Sequence, residues 1–247
     1  MTPSRLALGS VRVSVIIPVR NTERYLSHAI ESALGQTLPP GEVLVVDDGS
    51  TDGSLDIARS FGDRVTVFEG APGGIGATRN AGVERACGDF LAFLDADDYW
   101  VAEKLFWQIR LFVGDPSLDL VFGQVRQFYS PDVPVPDEER VRMEQSVFEG
   151  HHPGTMLVKR EALHRVGPFN PQVRVGEFLD WYARAVEAGV RMAAVPGVVM
   201  FRRIHDQNTV TRHRASQTDY AKILKAALDR RRKRGATTPS GKDPRGA

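Results

Sequence analysis

At 247 residues, 42% hydrophobic and 26% charged, the chain can bury a sizeable core in one large domain or two small ones. Its 32 Lys and Arg balance 31 Asp and Glu, so no global field draws it to nucleic acid. The single cysteine, Cys87, excludes an intramolecular disulfide framework and suits a reducing compartment. Met1 to Ser10 lacks the apolar run of a signal peptide, and no run of roughly 18 apolar residues forms a membrane span. A soluble cytoplasmic protein is the default expectation.

The first half alternates strand and helix. Val13–Ile17 is a short β-branched run stopped by Pro18, a buried strand by its pattern. Tyr25, Leu26, Ala29, Ile30, Ala33 and Leu34 recur at helical spacing. Val43–Val46 is a second strand that runs into the turn Asp47–Gly53, whose Ser and Asp residues can cap the next helix, with Leu55, Ala58 and Phe61. Val65–Phe68 is a third strand, followed by a Gly-rich loop from Gly70 to Gly76. A helix with Ala77, Asn80, Ala81 and Val83 then leads to the strand Phe90–Leu94. Continuously apolar strands separated by amphipathic helices predict a mostly parallel sheet covered on both faces. Ligands of such sheets bind beyond the carboxyl ends of the strands, where Asp47–Asp48 and Asp95–Asp98 would share one crevice.

The second half is less regular. Leu105, Phe106, Ile109, Phe112 and Val113 predict a helix, and Leu118–Tyr129 reads as extended. Ser130–Arg142, rich in Pro and acids with no hydrophobic period, reads as a loop. Met156–Val158 and Val198–Phe201 are strand candidates, with a helix through Phe178, Leu179, Tyr182, Ala185 and Val186 between them. A basic amphipathic helix over 216–234, usable as a solvated face, an oligomer contact or a peripheral membrane contact, precedes a disordered tail at 235–247.

Asp95, Asp97 and Asp98 follow an apolar strand directly. Such a cluster repels itself unless a cation neutralises it, and carboxylates with diphosphate oxygens suit Mg²⁺ or Mn²⁺. Helix capping by Asp98 is the plain alternative. Asp48 can accept from a pyrimidine N–H or a ribose hydroxyl, or Asp47 and Asp48 can merely shape a turn. Pro72–Asn80 has neither a dinucleotide fingerprint nor a P-loop ending. Arg79 within it is either a bidentate diphosphate donor or a surface arginine.

Four segments in order make the pattern specific: Val13-Ser-Val-Ile-Ile-Pro-Val-Arg-Asn21, Val45-Val-Asp-Asp-Gly-Ser-Thr-Asp52, Gly76-Ala-Thr-Arg-Asn-Ala-Gly82 and Leu94-Asp-Ala-Asp-Asp98. Together they resemble the nucleotide-binding half of the family-2 glycosyltransferases, which have the GT-A fold. The match is close over about the first 110 residues and looser to near residue 210. The resemblance implies a single GT-A domain over 1–234, with a nucleotide-sugar half at about 11–113 and an acceptor half at about 114–210. It implies inverting transfer from a nucleoside-diphosphate sugar, UDP favoured, to an acceptor that the sequence does not identify. Asp48 would bind uracil, Pro18, Arg20 and Glu23 would border the nucleotide, and Arg79 would lie against it. Asp97 would coordinate the metal, Asp95 would lie near the ribose and Asp98 beside the sugar.

Val175–Arg184 resembles the segment that supplies the catalytic base, commonly Glu-Asp before a helix, but Phe178 stands where the Asp is usual. Glu177 is the first choice as base and Asp180, three residues on, the second; charge complementing the helix dipole is the alternative for both. In such enzymes a histidine near this point joins the metal or the diphosphate, which implies that His205, after the last strand, would join Asp97 there; a structural histidine is the alternative. His151, His152, Gly154 and Thr155 would line the acceptor side, with Trp181 either a stacking surface there or, as is commoner for an aromatic at this spacing, part of the core. Two rival functions follow: a binding module that keeps the nucleotide pocket without catalysis, and a sugar nucleotidyltransferase, whose Gly-rich loop should follow the first strand and not the third. A homodimer is compatible with the sequence but not indicated by it.

Overall fold

The computed structural model describes residues 11–70, 72–173 and 175–206, together with 223, 225–227, 229 and 230. Strands β1 (Val13–Val19), β2 (Glu42–Asp47), β3 (Thr66–Glu69) and β4 (Phe90–Phe93) lie parallel in the order β3-β2-β1-β4. Helices α1 (Leu26–Leu34), α2 (Ser54–Ser60) and α3 (Ile75–Arg85) connect them. Then come β5 (Tyr99–Trp100), α4 (Lys104–Gly114), β6 (Leu120–Tyr129), α5 (Asp137–Gln145), β7 (Val147–Gly150), β8 (Leu157–Lys159), α6 (Arg160–Val166), α7 (Glu177–Glu187) and β9 (Met192–Ile204). The sheet continues β4-β8-β6-β9-β5, with β7 on β6, and here most pairings turn antiparallel.

Side-chain alternation along the strands explains the two covered faces. Val13, Val15, Ile17, Val43, Val45, Phe90 and Ala92 point to one side, where they meet Leu26, Ile30, Ala58, Leu105 and Phe112 of α1, α2 and α4. Ile16, Leu44, Val46, Leu91 and Phe93 point to the other and meet Val83, Leu163, Trp181 and Ala185 of α3, α6 and α7. Gly82 lets α3 lie flat on the sheet, since a Cβ there would sit 2.5 Å from Ile16.

Two elements differ from the sequence reading. β1 runs through Pro18 to Val19, because β4 stops pairing at Ile16↔Phe93 and no ladder hydrogen bond is asked of Pro18 on that side. Within Ser130–Arg142, read as a loop, α5 begins at Asp137. It has no buried residue, so periodicity could not reveal it. Its signals are Pro136 at the cap and Asp137, Glu138 and Glu139 in the first turn, complementing the helix dipole. Arg140 ties it down through the carbonyls of Tyr129, Ser130 and Val133. The helix expected over 216–234 falls mostly outside the described residues, and the tail at 235–247 wholly so; Ile223, within that helix, is buried, and Arg230 reaches back to α7.

Candidate active site

The diacid after β2 divides its work. Asp47 shapes the turn, its Oδ2 accepting from the backbone N–H groups of Gly49 and Ser50, 2.9 Å each. Asp48 faces the Gly-rich loop instead: Oδ1 accepts from Gly73 N (2.7 Å) and Gly74 N (3.1 Å), and Oδ2 from Arg20 (3.2 Å). Gly74 adopts φ 80°, a left-handed conformation that glycine takes without strain, and this turns its N–H to Asp48. Pro18 is buried in β1, opposite Val46. Glu23 is exposed and accepts from Gly53 N (2.7 Å), which braces the β2–α2 turn.

Asp95 follows β4. Because β1 lies between β2 and β4, Asp48 and Asp95 flank the carboxyl end of β1, two strand spacings or about 10 Å apart by sheet geometry. Arg79 is 1% exposed and is neither a surface residue nor an open diphosphate fork, as the sequence alternatives had it. Its guanidinium is occupied from both sides, Nη2 donating to Asp95 Oδ1 at 2.7 Å and Nη1 to Glu177 Oε1. Burial alone would lower the Arg79 pKa; Asp95 and Glu177 outweigh it and raise it. Burial alone would likewise raise the Asp95 carboxyl, but Arg79 foremost, with His152 and Arg202, holds it below the usual carboxylate range. Glu177 opens α7, and α3 approaches that helix closely at Gly76.

Pairing of β5 with β9 brings the other half of the acidic cluster to its partners. Tyr99↔Phe201 and Trp100↔Met200 carry the register back toward Asp97 and Asp98. Arg203 N then donates to Asp98 Oδ1 (2.8 Å), and His205 Nε2 lies 3.0 Å from Asp97 Oδ2. Asp98 therefore does not cap α4, whose N-cap is Glu103. Burial, and then Asp97 and Asp95 beside it, push the Asp98 carboxyl well above its ordinary value, against the Arg203 bond. Tyr25, read from sequence only as a helix position, packs its ring 4.9 Å from that of His205.

The predicted acceptor-side residues sort differently. Trp181 is fully buried, donates Nε1–H to Gly167 O (3.0 Å) and stacks on Phe178, so it is core and not an exposed stacking surface. Gly154 and Thr155 are buried under the crevice; the Thr155 hydroxyl donates to the Gly150 and His152 carbonyls. Asp180 is held by Arg184 (3.0 Å) and Arg230 (3.7 Å), a brace between α7 and the C-terminal segment. The adjacent histidines do point apart: His151 packs on Phe122 and Tyr182, whereas His152 turns toward Asp95. β8 runs antiparallel to β4, so the segment before β8 arrives at the carboxyl end of β4. Burial foremost lowers the His152 pKa to about 4, with Arg202 and Arg79 adding to it against Asp95.

Beneath this segment lies a network that the sequence did not suggest. Lys104 is fully buried, 4.2 Å from the Trp100 ring centre, and donates to Gln108 Oε1 (2.8 Å) and Met156 O (3.4 Å). Gln108 donates to Thr155 O (2.7 Å) and Trp100 Nε1–H to Gly154 O (2.7 Å). Burial pushes the Lys104 amine well below its ordinary pKa. Lys104 and Gln108 stand at helical i, i+4 spacing among apolar neighbours, which is the one sequence signal they offered.

For a divalent cation, Asp97 and His205 are the fitting pair, a carboxylate and an imidazole already adjacent, with Asp98 crowded by like charge that a cation would relieve. No group of three or more His, Cys, Asp or Glu suited to a metal occurs among the described residues.

Comparison with known proteins gives concordant matches. The model of glycosyl transferase family 2 covers residues 14–169. The chain is 31% identical over 204 residues to the glycosyltransferase AglE of Haloferax volcanii, covering 76% of this chain and 65% of that one. It is 32% identical over 165 residues to a poly(ribitol-phosphate) beta-glucosyltransferase of Bacillus spizizenii, covering 64% and 24%. It thus spans only part of the length of these relatives. Among solved structures, S. aureus TarS in complex with UDP-GlcNAc superposes with TM-score 0.70 at 22% identity, over 88% of this chain and 66% of that one. A mannosyltransferase from Pyrobaculum calidifontis, in complex with GDP-Man and Mn²⁺, superposes with TM-score 0.63 at 19% identity, over 90% and 64%. No described helix is long and apolar enough to cross a membrane. The fold is that of the GT-A transferases, and the chain belongs to glycosyl transferase family 2.

Proposed function

We propose that the chain transfers a sugar, with inversion, from a UDP-sugar to an acceptor nucleophile with Mn²⁺ or Mg²⁺, its two halves at about 11–113 and 114–210 acting as one domain. The carrying observation is the convergence of Asp48, Asp95, Asp97, Glu177 and His205 on one strand-end crevice through four separate elements. Asp48 is the uracil acceptor: Gly73, Gly74 and Arg20 hold its carboxylate in place, the Gly74 N–H shared between both oxygens, for accepting from a ring N–H. Pro18, Arg20 and Glu23 form the nucleotide border.

Asp97 and His205 would hold the cation against the diphosphate, with Asp98 on the sugar side. When bound, the cation supplies charge neutralisation for the departing nucleoside diphosphate. Arg79 acts from below, fixing Asp95 for the ribose and Glu177 for the acceptor. Glu177 takes the acceptor proton; Arg79 engages one of its oxygens and leaves the second to accept it. Asp180 is the weaker candidate, since both its oxygens face arginines. Calorimetric titration of UDP with and without Mn²⁺ tests the donor site. Cation-independent binding in the wild type, or unchanged binding by D48A, would refute it.

One observation favours a second reading, a nucleotide-sugar-binding module without catalysis. The position of the usual acid is Phe178, buried against Phe122, Trp181 and Tyr182. Tight UDP-sugar binding with neither transfer nor slow donor hydrolysis would support it.

A further inference from the structure

His152 contributes to no part of the mechanism above, yet its geometry is constrained at both ring nitrogens. Gly154 N donates to His152 Nδ1 at 3.1 Å, so Nδ1 carries no hydrogen and Nε2 carries it. That Nε2–H faces Asp95 Oδ2 across 3.9 Å, too far for a direct hydrogen bond. The other oxygen, Asp95 Oδ1, is already fixed by Arg79. A donor and an acceptor thus face each other across a gap that one oxygen fills. An oxygen about 2.8 Å from both subtends about 90° between them, near the angle at which a hydroxyl accepts one bond and donates another. An anion would be favoured by His152 but repelled by Asp95, and a cationic group the reverse; a hydroxyl satisfies both.

We propose that His152 and Asp95 form a two-point clamp for a single hydroxyl of the bound nucleotide sugar, His152 donating to it and Asp95 accepting from it. This rests on the donor reading above and adds a binding residue to it. The hydroxyl comes from either the ribose or the transferred sugar, and the probes below separate the two. The segment supporting His152 is rigid for a stated reason: Trp100, Gln108 and Lys104 hold the carbonyls of Gly154, Thr155 and Met156 from beneath.

His152→Asn isolates the Nε2–H, because the Asn Oδ1 can still accept from Gly154 N while no donor reaches Asp95. Binding of UDP, 2′-deoxy-UDP, 3′-deoxy-UDP and UDP-glucose is measured by calorimetry with Mn²⁺ for wild type and H152N. The clamp predicts about tenfold weaker binding by H152N, the effect of one buried hydrogen bond. A ribose contact weakens UDP and vanishes with one deoxy nucleotide. A sugar contact weakens UDP-glucose and leaves UDP unchanged. Equal affinity of H152N and wild type for every probe overturns the clamp, as does equal weakening for all four. If H152N melts below wild type, H152Q, which returns an N–H near the Nε2 position, must recover affinity, and its failure to do so also overturns the clamp. A wild type that binds UDP normally beside an unaffected H152N leaves the donor reading standing, whereas a wild type that binds none of the probes removes both.

Discussion

Replacing Arg79 with methionine tests the buried charge bridge directly. The substitution keeps most of the stem's volume but strands Asp95 and Glu177 against a buried apolar side chain. Removing one member of a buried ion pair costs about 3–5 kcal/mol, chiefly the penalty of the charges left behind. In a chain of this size that lowers Tm by roughly 10 °C, at about 2–4 °C per kcal/mol. The pH dependence follows from Asp95, whose folded pKa is depressed by Arg79. Such a group stabilises the fold above its unfolded pKa, and that contribution is lost as pH falls through the lower folded value. The stability gap between wild type and R79M is therefore widest near neutrality and narrows below about pH 4, the ordinary carboxylate range. Urea denaturation at pH 7, 5 and 3.5 measures it. Adding D95N and E177Q to R79M should recover much of the loss at pH 7, since no charge is then stranded. A stable R79M, or a gap independent of pH, would refute the bridge as described.

Three further outcomes follow. D97A and H205A should each abolish the tightening of UDP binding by Mn²⁺ while leaving the metal-free affinity near wild type, read by titration at both conditions. E177Q should lower kcat by about 100-fold or more with donor affinity retained, the scale of general-base loss, whereas D180N should lower Tm with kcat kept; the reverse pattern would transfer the base to Asp180. Lys104 has a folded pKa depressed by burial, so between that value and its unfolded one the unfolded chain binds more protons and stability rises with pH. K104M lacks this rise, and denaturation at pH 7 and pH 10 should show the wild type gaining relative to it.

The first half of the fold was legible because its signals are local. Val13–Ile17 and Val43–Val46 announce buried strands by composition, and each carboxylate of interest follows a strand end within a few residues. The partnerships have no local signal, because they span large separations: Arg79 with Glu177, Asp97 with His205 (expected only through the family resemblance), Asp95 with His152. Only the register of β5 on β9 and of β8 on β4 brings the last two pairs together, and nothing in a single sequence states a register. Trp181 stays open between core and stacking surface in the sequence for a related reason. An aromatic on an amphipathic helix is compatible with either face, and the choice is made by Gly167 and Phe169 arriving from outside the helix.

Phe178 is where these two kinds of information meet. Its side chain completes an aromatic group with Phe122, Trp181, Tyr182 and, through Tyr182, His151. A carboxylate in the same position would be buried among these rings, and of the described arginines Arg79 serves Glu177 and Asp95 while Arg184 serves Asp180. The hydrophobic residue is thus consistent with its surroundings and not an isolated loss. On the proposed reading, proton transfer then falls to Glu177, with Asp180 as the second candidate. F178D separates the cases. If the acid were merely missing, restoring it should raise transfer; if the aromatic packing is part of the site's design, F178D should unfold the start of α7 and disturb Glu177 with it. The buried neighbours favour the second outcome, detectable as a lowered Tm together with weakened donor binding.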